Sequence, residues 1–106
     1  MGLAHRGLGN IEGAIREYKT ALEIDADNFE ARVNLADAYF DAGRYPEALE
    51  EIEKASKLQP EDPEVRSLLG AVHAKLGHAD LAREQLAALK TLNPDYAEKL
   101  RRLLEE

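Results

Sequence analysis

Apolar residues recur along the chain at three- and four-residue steps, the spacing that brings side chains onto one face of an α-helix. In 28–42, Leu35, Ala38 and Tyr39 share one face, while Glu30, Val33, Asn34, Asp37, Phe40 and Asp41 lie opposite. Near the end, Leu100, Leu103 and Leu104 again fall together among charged neighbours. Glycines and prolines interrupt these stretches and divide the chain into helices over 1–8, 11–24, 28–42, 45–58, 62–76, 79–91 and 95–105. The expected fold class is all-α.

The helices come in a repeating unit. Gly9, Gly43 and Gly77 are spaced by 34 (43 − 9 and 77 − 43), and the same step links Ala14, Ala48 and Ala82, then Ile24, Leu58 and Leu92, then His5, Tyr39 and His73. Each repeated glycine lies between two helices, where a residue without Cβ can take the left-handed conformation that ends one helix and reverses the chain. Pro60 and Pro94 block continuation of the second helix, and Asn28, Asp62 and Asn93 are expected N-caps of the next. Gly2, Ala36 and Gly70, with Ala14, Ala48 and Ala82, are small enough to let crossing helices approach.

The 34-residue period, the Leu35-Ala36-x-x-Tyr39 and Leu69-Gly70-x-x-His73 segments and the Ala48…Ala55…Pro60 run resemble the tetratricopeptide-repeat (TPR) pattern over almost the whole chain. The motif's leading Trp is replaced by Arg32 and Arg66, and its Tyr by His5 and His73. Repeats of this kind pack only on their neighbours, so such losses are tolerated. The resemblance implies a right-handed superhelical solenoid of antiparallel helix pairs in a single domain over 1–106. The units are an N-terminally incomplete repeat at 1–28, full repeats at 29–62 and 63–96, and a capping helix at 97–106. Six residues equivalent to Phe29 to Asn34 are missing from the first unit, which predicts self-association through its ragged face.

Composition narrows the chemistry. Fourteen Lys and Arg face 21 Asp and Glu, a net charge of −7, and such a chain repels a phosphate backbone. Nucleic acid is not an expected partner. Cysteine is absent, which removes disulfides, thiolate zinc sites and cysteine nucleophiles and is compatible with a cytosol-like compartment. No apolar run approaches the roughly 20 residues that cross a bilayer, and Met1 to Arg6 lacks the build of a signal peptide. A membrane is not expected either. His5 and His73 occupy the position of Tyr39, which argues for packing, and no H-E-x-x-H spacing accompanies them. Glu50-Glu51 and Glu105-Glu106 read as solvated helix faces, and Gly7-Leu8-Gly9-Asn10 reads as an interhelical turn without the Lys-Ser/Thr of a phosphate loop. The expectation is a non-enzymatic chain without metal or cofactor.

Recognition is expected where equivalent positions differ between units. The resemblance implies that the first helix of each pair lines a concave face. There Val33 becomes Ser67, Asp37 becomes Leu3 or Ala71, and Phe40 becomes Arg6 or Ala74. The candidate groove is an apolar strip of Leu3, Val33, Phe40, Ala71 and Ala74, edged by Glu30, Asp37 and Asp41, with Asn34 and Ser67 beside it and Arg6 and Lys75 as positive points. It suits a peptide or protein segment with one or two large apolar anchors flanked by Lys or Arg. Phe40 either anchors that ligand or packs against the neighbouring unit. Some TPR domains clamp the acidic tails of heat-shock chaperones with Lys, Asn and Arg. Asn34 matches one clamp position, but Glu64 and Leu68 stand where basic members belong, so that clamp is not expected. The alternative to a docking module is a structural segment that contacts adjacent repeats or copies of itself.

Overall fold

The computed structural model describes the backbone of residues 2–105 and the side chains of residues 10–105. It contains α1 (Gly2–Ile24), α2 (Phe29–Asp41), α3 (Tyr45–Leu58), α4 (Pro63–Lys75), α5 (Ala79–Leu92) and α6 (Pro94–Glu105). Among the described residues there is no strand.

Each reversal within a pair is a helix end of one design. The Gly43 N–H donates to the Phe40 carbonyl at 3.0 Å and the Arg44 N–H to the Tyr39 carbonyl at 2.8 Å; Gly77 and His78 repeat this on Ala74 and His73 at 3.2 and 2.8 Å. This pair of bonds requires a left-handed residue after the C-cap, and Gly43 and Gly77 have φ of 77° and 84°. The same motif brings residues five apart into contact. Arg44 lies 4.8 Å over the Tyr39 ring, and His73 Nδ1 meets His78 Nδ1 at 3.1 Å. His73 is buried, and its pKa is lowered by loss of water and then by His78. At that distance one ring nitrogen donates and the other accepts, and His73 packs at the position that Tyr39 fills in the preceding unit.

The caps between units also follow the sequence. Asn28 accepts from the Ala31 N–H at 3.0 Å and Asp62 from the Val65 N–H at 3.1 Å. Asn93 accepts from Asp95 and Tyr96 N–H at 3.1 and 3.3 Å while ending α5, so α5 and α6 meet without a loop.

The structure corrects the first unit. The helices expected at 1–8 and 11–24 are one helix, α1, which runs unbroken through Gly7, Gly9 and Asn10. Glycine permits a left-handed end but does not impose it; docking of the reversed helix selects it at Gly43 and Gly77. At Gly9 the hydrogen-bond ladder of α1 continues instead. Among the described residues there are therefore six helices rather than the seven expected.

Small residues set the spacing between helices. Ala36, Ala48, Ala55 and Ala82 are wholly buried. A Cβ on Gly70 would lie 2.6 Å from Leu100 Cδ2 and 3.2 Å from Gln85 Cβ, so glycine there lets α6 and α5 close on α4. Three apolar clusters follow along the solenoid. Leu35 and Val72 gather Ile15 and Ala48; Ile52 gathers Val33, Ala36 and Val65; Leu89 gathers Ala97 and Leu100. On the inner side α2 approaches α4 and α4 approaches α6, whereas α3 makes no close approach to α5, and this difference curves the array.

The arginines in place of the motif's Trp tie each first helix to its partner. Arg32 donates to Glu51 at 2.7 Å and to the Ala26 carbonyl at 2.7 Å. Arg66 repeats the bridge to Gln85 at 3.2 Å, but its buried Nε has no partner. Gln85→Glu should supply Arg66 with the carboxylate that Arg32 already has, raising unfolding free energy by about 0.5–1 kcal/mol in urea titration. An unchanged midpoint would show that the bridge contributes nothing.

Candidate functional site

A groove of about 620 Å³ runs across the inner face. Helix α2 contributes Asp37, Phe40 and Asp41; α4 contributes Glu64, Ser67, Leu68 and Ala71; α6 contributes Asp95, Tyr96, Glu98, Lys99, Leu100, Arg102 and Leu103. In α2 and α4 these positions fall at three- and four-residue steps, so each of those walls is one helix face, whereas α6 lines the groove with seven of its first ten residues. Phe40, Leu68, Tyr96 and Leu103 are half-buried and make an apolar floor, while Asp37, Asp41, Glu64, Asp95 and Lys99 stand exposed above it.

Of the residues expected to line a groove, Asp37, Phe40, Asp41, Ser67 and Ala71 are brought together here. Val33 is not. It is 4 % exposed and packs with Ala36, Ile52, Ala55 and Val65. Helix α2 has α1, α3 and α4 as neighbours, so it buries two apolar stripes rather than one, and Val33 belongs to the second. Glu30 and Asn34 are exposed but lie off the groove, and Ala74 and Lys75 border a separate depression with Gly77, Ala79, Leu103 and Leu104. The side chains of Leu3 and Arg6 lie outside the described residues.

Sequence reasoning missed the third wall. The last helix was expected over 95–105 with Asn93 as its cap, while the capping unit was counted from 97 by the 34-residue step from Pro63. Helix α6 starts at Pro94 itself, 31 residues beyond Pro63 (94 − 63). Counted by 31, Lys99 and Arg102 take the places of Leu68 and Ala71, on the inner face. The signal was present in the cap, since Asn93 follows Asp62 by 31 (93 − 62) rather than by 34.

Charge within the groove is uneven. Asp37's carboxyl is pushed above its ordinary value of 3.8 by partial withdrawal from water and then by Asp41 and Glu64, while Lys99 draws it back in part. On α6, Arg101 and then Arg102 hold Glu98 below its ordinary value through hydrogen bonds. Phe40 sits edge-on to Tyr45, ring centres 5.4 Å apart at 61°, so it both lines the groove and packs on α3.

The raised Asp37 has a definite linkage sign. Its protonated form favours the fold below the ordinary carboxylate value, and that contribution is lost as pH rises through the raised one. Asp37→Asn should therefore raise Tm slightly at pH 7 and converge with the parent as pH falls below the ordinary value of 3.8. A Tm at pH 7 that is equal or lower would contradict the crowding of acids in the groove.

The tetratricopeptide repeat family model matches residues 5–72 and again 43–106, and the chain belongs to that family. It is 33 % identical over 93 residues to the protein CTR9 homolog of Arabidopsis thaliana, covering 87 % of this chain and 8 % of that protein. It is 36 % identical over 84 residues to the human protein O-mannosyl-transferase TMTC1, covering 79 % and 9 %. Superkiller complex protein 3 of Mus musculus is 29 % identical over 104 residues, 98 % of this chain and 7 % of that protein. The chain thus spans less than a tenth of the length of these relatives. The first TPR of Spaghetti (RPAP3), solved with the HSP90 peptide SRMEEVD, superposes with a TM-score of 0.82 at 22 % identity, covering 98 % of this chain and 85 % of that one. That likeness establishes the solenoid fold. No described helix is long and apolar enough to cross a membrane.

Proposed function

We propose that this chain is a protein-interaction module that holds a peptide segment of another protein in the groove between α2, α4 and α6, and that it binds without catalysing. The observation that carries this reading is the groove itself, an apolar floor under charged rims on three adjacent helices. Large apolar anchors would bury against Phe40, Leu68 and Leu103 and supply most of the affinity, while basic flanks would meet Asp37, Asp41 and Glu64 and speed the encounter. The peptide in the RPAP3 complex carries two glutamates and an aspartate, which suit a basic groove and not this one. A cytoplasmic setting accords with the absence of cysteine.

The test is Phe40→Ala on peptides selected from a random display library against the parent chain. Affinity should fall by more than about fivefold, mainly through a faster off-rate. Tm will fall too, because Phe40 packs on Tyr45, so binding is measured well below the melting range. A variant that keeps full affinity would move the site off this groove.

A second reading has one observation in its favour. The chain matches only a small part of long relatives, and around Ile15 the side chains of Ile11, Tyr18 and Leu22 are only partly covered. On that reading α1 packs on adjacent repeats or on a second copy. Sedimentation at rising concentration should then show a dimer, and a strict monomer would remove the self-association.

A further inference from the structure

The turns at Gly43 and Gly77 share one backbone design but close it with different side chains. At the first, Arg44 lies over the Tyr39 ring; 34 residues on, the same two places hold His73 and His78. An arginine over a phenol carries one fixed charge between neutral and mildly acid pH. The histidine contact, Nδ1 to Nδ1 at 3.1 Å, changes with each proton it takes up.

His73 is 7 % exposed, whereas His78 stands in water at the N-cap of α5, where its side chain bonds no backbone N–H. In the neutral pair one Nδ1 donates and the other accepts. The next proton goes to the exposed ring, which stays hydrated while its Nδ1–H donates to His73. A further one has to enter buried His73, and then both Nδ1 atoms carry hydrogen and neither accepts. The bond is lost and two charges face each other. Of the elements packed on α4, α3 brings Glu53 and α5 brings Glu84, which favour a charged His73, but burial and then His78 outweigh them and hold the ring below its ordinary 6.5. Helices α2 and α6 bring no charge that acts on it. The backbone of the turn runs through the same residues, since the His78 N–H donates to the His73 carbonyl at 2.8 Å. Helix α5 follows at once, and α6 rests on α4 and α5.

We infer that the His73–His78 pair is an acid-sensitive latch, which fastens the α4–α5 turn at neutral pH and loosens α5 and α6 once both rings are protonated. The α2–α3 turn, closed by Tyr39 and Arg44, is unaffected. Because α6 is one wall of the groove, acid would also weaken a ligand's hold there; that consequence rests on the groove reading, and the latch itself does not. The sign follows from the fold's preference for neutral His73. Its contribution is fully present above 6.5 and is lost as pH falls from there through the lowered value.

The test compares the parent chain with a His73→Tyr, His78→Arg double variant, which copies the preceding turn. Between pH 7.5 and 5.0 the parent's Tm should fall by about 3 °C or more relative to the variant's, and the groups common to both cancel. Hydrogen exchange at pH 5.0 should show less protection over α5 and α6 in the parent than in the variant, with α2 and α3 alike in both. Ring titration by NMR needs only the parent, so it holds even if the variant folds poorly. There His73 should take up its proton after His78 and below 6.5. Two rings that titrate together at the ordinary histidine value, or a Tm difference between parent and variant that stays constant with pH, would overturn the latch.

Discussion

Leu35→Ala should lower the unfolding free energy by about 2–5 kcal/mol, through lost transfer energy and the cavity left behind. Leu35 is 2 % exposed and joins Ile15 of α1, Ala48 of α3 and Val72 of α4 in one cluster, so its removal loosens four helices together. Little collapse is available to refill the space, because its neighbours include fully buried Ala48 and Val72. Total stability for a domain of this size is about 5–15 kcal/mol, so the loss is a large share of it. Thermal unfolding should move down by about 10 °C or more. The urea midpoint should fall with little change of slope, since the same surface is still exposed on unfolding. A shift within about 0.5 kcal/mol of the parent would mean that the first and second units do not share a core at this point.

Leu100→Ala should cost a comparable 2–5 kcal/mol but in a different place. Leu100 is 1 % exposed, packs with Leu89 and Ala97, and fills the space that the missing side chain of Gly70 leaves on α4. In a solenoid each element rests only on its neighbours, so the loss should first release α6 and leave α2 and α3 folded. Hydrogen exchange should lose protection over Pro94–Glu105 while retaining it over Phe29–Asp41. Peptide binding should fall with it, because α6 is one wall of the groove. Uniform loss of protection across the chain would contradict the local release, and retained protection over α6 would contradict its docking on Gly70.

These effects show which parts of the molecule were legible in the sequence. The 34-residue step located the left-handed turns at Gly43 and Gly77, the caps at Asn28 and Asp62 and the buried alanines at 36, 48 and 82, because each follows from one local requirement repeated in register. Gly9 occupies the same register, yet α1 runs through it, since glycine permits the turn without imposing it. Val33 was misplaced because a helix face was treated as either core or surface, whereas α2 is enclosed on several sides and hides two stripes. Lys99 and Arg102 were missed because the third wall follows a 31-residue step set by Asn93, which caps α6 while ending α5. The acidic side of the groove was readable from Asp37 and Asp41; the partial burial that chiefly raises Asp37, and the added repulsion of Glu64 from α4, depend on how the helices pack.

The central claim is that ligands enter the inner face, and amide chemical-shift mapping tests it most directly. A peptide with two Leu anchors and charged flanks is titrated into the labelled chain, and perturbed amides are placed on the helices. The groove predicts shifts at Asp37, Phe40, Asp41, Ser67, Leu68, Ala71 and Lys99, with Glu50, Lys54 and Arg83 on the outer helices α3 and α5 left still. Shifts confined to α3 and α5, with the inner residues unmoved, would contradict it.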